Sequence, residues 1–143
     1  MALVKRTVFS PFTPAQMYRL VNDVPAYPSF LPWCQEADVL CSRGDLVHAR
    51  LKVKKGRFDY EFTTENRLRA NVGIDMRLID GPFQKLNGQW FFESSDGGCS
   101  VTLELEFEFS GRILGTVLTA AFTPIADSMV EAFNRRAYTV YGD

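Results

Sequence analysis

The chain has 143 residues, 46% of them hydrophobic and 13% aromatic, with 16 Lys and Arg against 17 Asp and Glu. That is the size of one domain, residues 1–143, with a core that needs no metal or disulfide staple, and a net charge of −1 sets up no global field to recruit nucleic acid or anionic lipid. Three cysteines outside any C-x-x-C spacing and a single histidine argue against a zinc site and for free thiols in a reducing cytoplasm, and no apolar run reads as the ~18 residues of a membrane span.

Residues 3–9 predict a first strand, and Met1 to Val8 carry Lys5 and Arg6 without the long apolar stretch of a secretory leader. A helix then starts at Thr13: threonine at the N-cap, Pro14 at the first helical position and Gln16 three residues after the cap. Met17, Leu20, Val21 and Val24 give it a short apolar face. Pro25, Pro28 and Pro32 restrict the next stretch of chain to turns or a short helix. Tyr27, Phe30 and Trp33 are spaced through that proline-stiffened stretch, which reads either as a rigid surface turn or as an aromatic rim to a cavity.

From Ala37 to Phe109 the pattern has period two. Val47, Ala49, Leu51 and Val53 alternate with His48, Arg50, Lys52 and Lys54, and after Lys55-Gly56 the apolar set is Phe58, Tyr60 and Phe62. A hairpin turning on Lys55-Gly56 pairs Lys52 with Asp59, Arg50 with Glu61, Leu51 with Tyr60 and Val53 with Phe58, so both faces agree. Strands come next from Ile74 to Asp80, which carries Met76 and Leu78, from Leu86 to Glu93, which carries Trp90, and from Cys99 to Phe109, which carries Phe107. Asp80-Gly81-Pro82 and Ser94 to Gly98 supply the turns. Residues 112–141 read as one amphipathic helix with an apolar face of Leu114, Leu118, Ala121, Phe122, Ile125, Met129, Phe133, Ala137 and Val140, interrupted by Pro124. The pattern predicts an α+β fold: a curved antiparallel sheet of about seven strands around a long C-terminal helix, with short helices after the first strand. A bent sheet cannot touch a straight helix along its whole length, so a cavity is expected between them.

Several sequence blocks resemble a known family. They are D-V-P-A-Y-P-S-F-L-P-W-C over 23–34, D-G-P-F over 80–83 with Lys85-Leu86, Gly88, Trp90 and Phe92, the stretch Phe62 to Asn66, and the last strand L-E-F-E-F. Together they resemble the coenzyme-Q-binding, START-like family, also called the oligoketide cyclase/lipid transport or RatA family. The resemblance implies a helix-grip fold with a deep apolar tunnel. It also implies two roles: binding ubiquinone in support of respiration, or binding the large ribosomal subunit and blocking subunit association. A cyclase-like activity on polyketides is a third reading. The family supplies no catalytic residues to carry over.

The residues themselves point away from catalysis. His48 shares a face with Arg50, Lys52 and Lys54, without an evident partner, and Glu104, Glu106 and Glu108 lie on a solvated strand face suited to cross-strand ion pairs. Lys52, Lys54, Lys55 and Arg57 form a basic turn that could meet ribosomal RNA phosphates, with Asp59 and Glu61 as neutralising neighbours. Cys34 and Cys41 read as buried small hydrophobes. The expected function is a non-enzymatic carrier for ubiquinone or a similar polyisoprenoid, with no other cofactor and no metal. Its cavity residues are Tyr27, Phe30, Trp33, Phe58, Tyr60, Phe62, Met76, Leu78, Trp90, Phe107, Phe122, Met129 and Phe133. Tyr60, Thr64, Asn66 and Trp90 offer polar tips for a head group. The expected location is the cytoplasm or the periphery of the inner membrane, in contact with a respiratory or quinone-biosynthesis complex, and no DNA partner is expected.

Overall fold

A computed structural model describes residues 2–142. Strand β1 (Ala2–Ser10) leads into helix α1 (Pro14–Asn22), a 3₁₀ helix (Val24–Ser29) and six further strands: β2 (Cys34–Arg43), β3 (Leu46–Lys55), β4 (Phe58–Arg69), β5 (Gly73–Asp80), β6 (Phe83–Ser95) and β7 (Gly98–Phe109). Helix α2 (Ile113–Tyr141) closes the chain. The seven strands form one sheet in the order β1-β7-β6-β5-β4-β3-β2, antiparallel throughout. Strands β2 to β7 are a simple meander, and β1 returns to pair with β7. Two register shifts within β2–β3 and one each in β4–β5 and β6–β7 bend the strands, as bulges do.

The helix starts obey local chemistry. The Thr13 hydroxyl accepts from Gln16 N, the Gln16 side chain accepts from Thr13 N, and Pro14 occupies the first turn, a complete capping box. Helix α1 buries Met17, Leu20 and Val21, while Val24 is buried from the 3₁₀ helix instead.

The β3–β4 hairpin departs from the charge-matched register by two residues. Lys55 pairs with Phe58, Lys54 with Asp59, Lys52 with Glu61 and Arg50 with Thr63. Gly56 takes φ +59° and makes, with Arg57, a two-residue turn of the kind that needs glycine at its first central position. A two-residue slip leaves every side chain on its face, so period-two reasoning could not detect it.

Helix α2 lies across the concave face, held by two rings. Phe122 meets Phe58, Phe62, Phe83, Phe107 and Phe109 at centroid distances of 5.0–6.2 Å. Phe133 meets Tyr27, Phe30 and Trp90 at 5.3–5.4 Å. These contacts, edge-on except for the tilted Phe58–Phe122 pair, add to the burial of each ring. Eleven residues at ~1.5 Å per residue put the two anchors about 16 Å apart along the axis.

The amino-terminal half of α2 is less firmly built. Leu114 and Val140 were expected on the apolar face but are exposed; Leu114 keeps 56% of its surface and Ile113 keeps 84%. Gly115 is buried in Leu114's place, 3.2 Å from the Phe109 carbonyl oxygen as measured from where a Cβ would stand. Arg112 gives the helix no side-chain cap. Thr116, Thr119 and Thr123 each bond back to the carbonyl four residues earlier, which competes with the helical ladder, and Pro124 removes one of its donors. By length and composition α2 is apolar enough to cross a membrane, with mean hydropathy 1.5 over its best 18 residues, contrary to the sequence expectation. In this fold it is the helix that the sheet grips.

The asymmetry of α2 has two measurable consequences. Phe133→Ala should lower the unfolding free energy by ~3–5 kcal/mol, whereas Leu114→Ala should change it by no more than ~0.5 kcal/mol; urea denaturation measures both. Amides from Thr116 to Ala121 should exchange hydrogen at least about tenfold faster than those from Ala126 to Ala137. Equal protection along α2 would show that its two halves open together.

Candidate functional site

The space between the two anchors of α2 is a cavity of about 70 Å³ bounded by seventeen residues. From α2 it receives Phe122, Ile125 and Met129, one helical turn apart or nearly so. Its floor is Ala49, Leu51 and Val53 of β3, Phe62, Thr64 and Asn66 of β4, and Met76 of β5. Leu86 and Trp90 of β6 and Leu103 and Leu105 of β7 extend the floor, and Val24, Tyr27 and Trp33 close one end. All of the strand residues are inward positions of the alternation. Gly88, between Leu86 and Trp90, leaves a gap in the floor that the ends of Met76 and Leu105 fill, each 2.8 Å from where a Cβ would lie.

Seven of the sequence-predicted cavity residues meet here: Tyr27, Trp33, Phe62, Met76, Trp90, Phe122 and Met129. The other six do not line it. Phe58, Phe107 and Phe133 face inward but are packed solid at the two anchors. Phe30 is half-buried beneath the Arg136 guanidinium, 5.1 Å from its ring centroid. Tyr60 and Leu78 are partly buried at the margin of the core. Sequence reasoning missed Val24, the three β3 residues, Leu86, Leu103, Leu105 and Ile125 because it favoured aromatic side chains.

The space is much smaller than the deep tunnel expected. A volume of ~10–15 Å³ is enough for one water molecule, so the cavity holds a handful of waters. Sites for drug-sized ligands run to ~300–1,000 Å³. A quinone ring with its tail is larger than this space.

The lining has few chemical groups. Tyr27 donates its hydroxyl to the Val21 carbonyl, and burial holds its pKa above the usual phenol range. Thr64 Oγ1 donates to Asn66 Oδ1 at 2.8 Å, both side chains being buried. Among the described residues no carboxylate, histidine or lysine borders the cavity. Cys34 is buried beside it, its thiol pushed up to about 11 by desolvation; Cys41, expected inside, is exposed. Among the described residues no three His, Cys, Asp or Glu side chains gather as metal ligands would.

The convex face is laced with ion pairs. Lys5 meets Glu104 at 3.2 Å, Arg50 meets Asp38 at 3.0 Å and Glu61 at 3.2 Å, and Lys52 meets Glu36 at 3.6 Å instead of Asp59. His48 does have a partner: its Nε2 lies 3.0 Å from Glu65 Oε2, while Arg77 donates to Glu65 Oε1 at 2.8 Å. Arg77 first and His48 second hold the Glu65 carboxyl below its ordinary range. The stabilisation from this trio is therefore present at neutral pH and is lost as pH falls through the lowered pKa. The trio lies on the opposite face of the sheet from the cavity. Lys54, Lys55 and Arg57 stand exposed at the β3–β4 turn. Among the described residues none of these three forms an ion pair, although Lys54 lies opposite Asp59.

Comparison with known proteins places this architecture. Residues 10–134 match the family described as polyketide cyclase/dehydrase and lipid transport. A protein of Vibrio cholerae named ribosome association toxin RatA is 42% identical over 144 residues, with both chains fully covered. A mitochondrial coenzyme Q-binding protein COQ10 homolog of Xenopus laevis is 27% identical over 92% of this chain, which spans 56% of that protein. The solution structure of an 18 kDa protein from Caulobacter crescentus superposes with a TM-score of 0.79 at 31% identity, covering all of both chains. The chain belongs to the polyketide cyclase/dehydrase and lipid transport family, in its START-like helix-grip form.

Proposed function

We propose that this protein associates with the ribosome, as the name of its RatA relatives indicates for them, and that it does so on the large subunit. The observation that carries the reading is the 42% identity over the whole of both chains. The exposed cations of the β3–β4 turn support it: Arg50 and Lys52 are matched by carboxylates, but Lys54, Lys55 and Arg57 are left for an external anion. With a net charge of −1, RNA contact has to be local, and a compact cationic turn is the kind of feature that supplies it.

The cavity supports a second activity of the same protein: binding an apolar ligand. Its wall is apolar apart from a few polar tips, and the coenzyme Q-binding name of a distant relative makes ubiquinone the first ligand to try. Burial at ~25 cal/mol per Å² of apolar surface would supply affinity, offset by the work of displacing α2. A carrier of this kind would deliver its ligand to a membrane complex from the cytoplasmic side. A cyclase reading is less favoured, because the lining has no group that takes up or gives a proton near neutrality.

Charge reversal at Lys54, Lys55 and Arg57 together tests the first reading. Co-sedimentation with large subunits should weaken by tenfold or more. The slope of log affinity against log salt should flatten by about 2–3, as expected when three phosphate contacts are lost. Decylubiquinone quenching of Trp90 should be unchanged. A triple variant that sediments like the wild type, with the same salt slope, would remove the turn from the ribosome contact.

A further inference from the structure

We propose that the cavity contains a hydrogen-bond donor subsite, the Asn66 side-chain amide held in place by Thr64, that selects apolar ligands carrying an acceptor oxygen over pure hydrocarbons. This rests on the ligand-binding reading of the cavity and gives its ligand a chemical class: a quinone, ketone, ester or similar carbonyl on an apolar body.

Thr64 and Asn66 are successive inward residues of β4, each 8% exposed. Their cross-strand neighbours are apolar: Ala49 and Leu78 beside Thr64, Val47 and Met76 beside Asn66. The two polar side chains therefore have only each other. The hydroxyl of Thr64 donates to Asn66 Oδ1 at 2.8 Å. In a planar amide the oxygen and nitrogen leave the same carbon in opposing directions, so fixing the oxygen on Thr64 turns the nitrogen away from it. Among the described residues that nitrogen finds no acceptor. The side-chain polar atom that is both fully enclosed and unpartnered lies elsewhere, at Asn134 Oδ1, whereas Asn66 borders the cavity.

In so apolar a wall, a donor without a protein partner depends on water or a ligand for its hydrogen bond. In the empty protein a cavity of about 70 Å³ has room for a water at this amide. A ligand that displaces such a water gains only if it returns an acceptor to the donor. A carbonyl oxygen does so and an alkyl or aryl hydrogen does not. Discrimination arises because the wrong ligand leaves the amide unpaired, the stronger form of polar selectivity.

The test compares decylubiquinone with decylbenzene, an apolar analogue lacking acceptor oxygens, in displacing anilinonaphthalene sulfonate from wild type, Asn66→Leu and Thr64→Val. Wild type should bind the quinone at least about tenfold more tightly than the hydrocarbon. Asn66→Leu should close that gap by weakening the quinone about tenfold while leaving the hydrocarbon unchanged or tighter, and Thr64→Val should fall between. Asn66→Leu also leaves the Thr64 hydroxyl without its acceptor, so the empty single variant should melt somewhat lower, and the double variant Thr64→Val/Asn66→Leu, which removes both partners, should recover the wild-type melting temperature. Equal selectivity in wild type and Asn66→Leu overturns the subsite while the cavity reading stands. A marked loss of stability in the Thr64→Val/Asn66→Leu double variant also overturns it, by showing the pair to be structural. Binding of neither compound to wild type overturns the cavity reading itself.

Discussion

Two phenylalanines set the geometry of this protein. Phe122 and Phe133 pin α2 to the concave sheet at points about 16 Å apart, each through a cluster of aromatic rings. Between the pins the sheet curves away and the helix does not track it fully. The space left there is the cavity, bounded on the helix side by Phe122, Ile125 and Met129. Its small volume follows from the spacing of the pins. Phe122 sits just before Pro124, at the junction of the weaker and stronger halves of the helix.

The two functional readings use separate surfaces, so they do not compete physically. The cavity lies on the concave side, where the lining among the described residues carries no charge. The exposed cations stand on the β3–β4 turn, at the end of a convex face whose other charges are mostly matched. The surfaces nevertheless adjoin. Lys55, Gly56 and Arg57 face Val117, Ala120 and Pro124 across a groove, beside the less firmly built half of α2. A family known by names for both lipid transport and ribosome association is therefore compatible with one fold.

Most of the architecture was legible because alternation and helical spacing are strong signals. The capping residues Thr13, Pro14 and Gln16 marked one helix start correctly, and the charge-alternating strands gave the right faces. Register was not legible. The Lys55-Gly56 turn could be centred in two ways that keep all faces, and only the backbone conformation at Gly56 decides between them. That error hid the partner of His48, since the observed register sets His48 opposite Glu65. The site was half legible for a related reason. Periodicity tells which residues point inward, but a void depends on where inward residues fail to meet. Phe58 and Phe107 point inward and are fully packed, whereas Ala49 and Val53, smaller and less conspicuous, border the empty space. The spacing of Phe122 and Phe133 on one helix face, with Ile125 and Met129 between them, was the available clue.

Dipolar electron spin resonance on a pair of nitroxides at Arg57→Cys and Ala120→Cys, in a Cys41→Ser background that leaves only the buried Cys34 and Cys99, measures the opening of α2 directly. These positions face each other across the groove. Empty protein should give a single short distance. Added decylubiquinone should build a second, longer population in proportion to the quenching of Trp90. A distance distribution that stays short and single while Trp90 is fully quenched would contradict the opening of α2 as the way into the cavity.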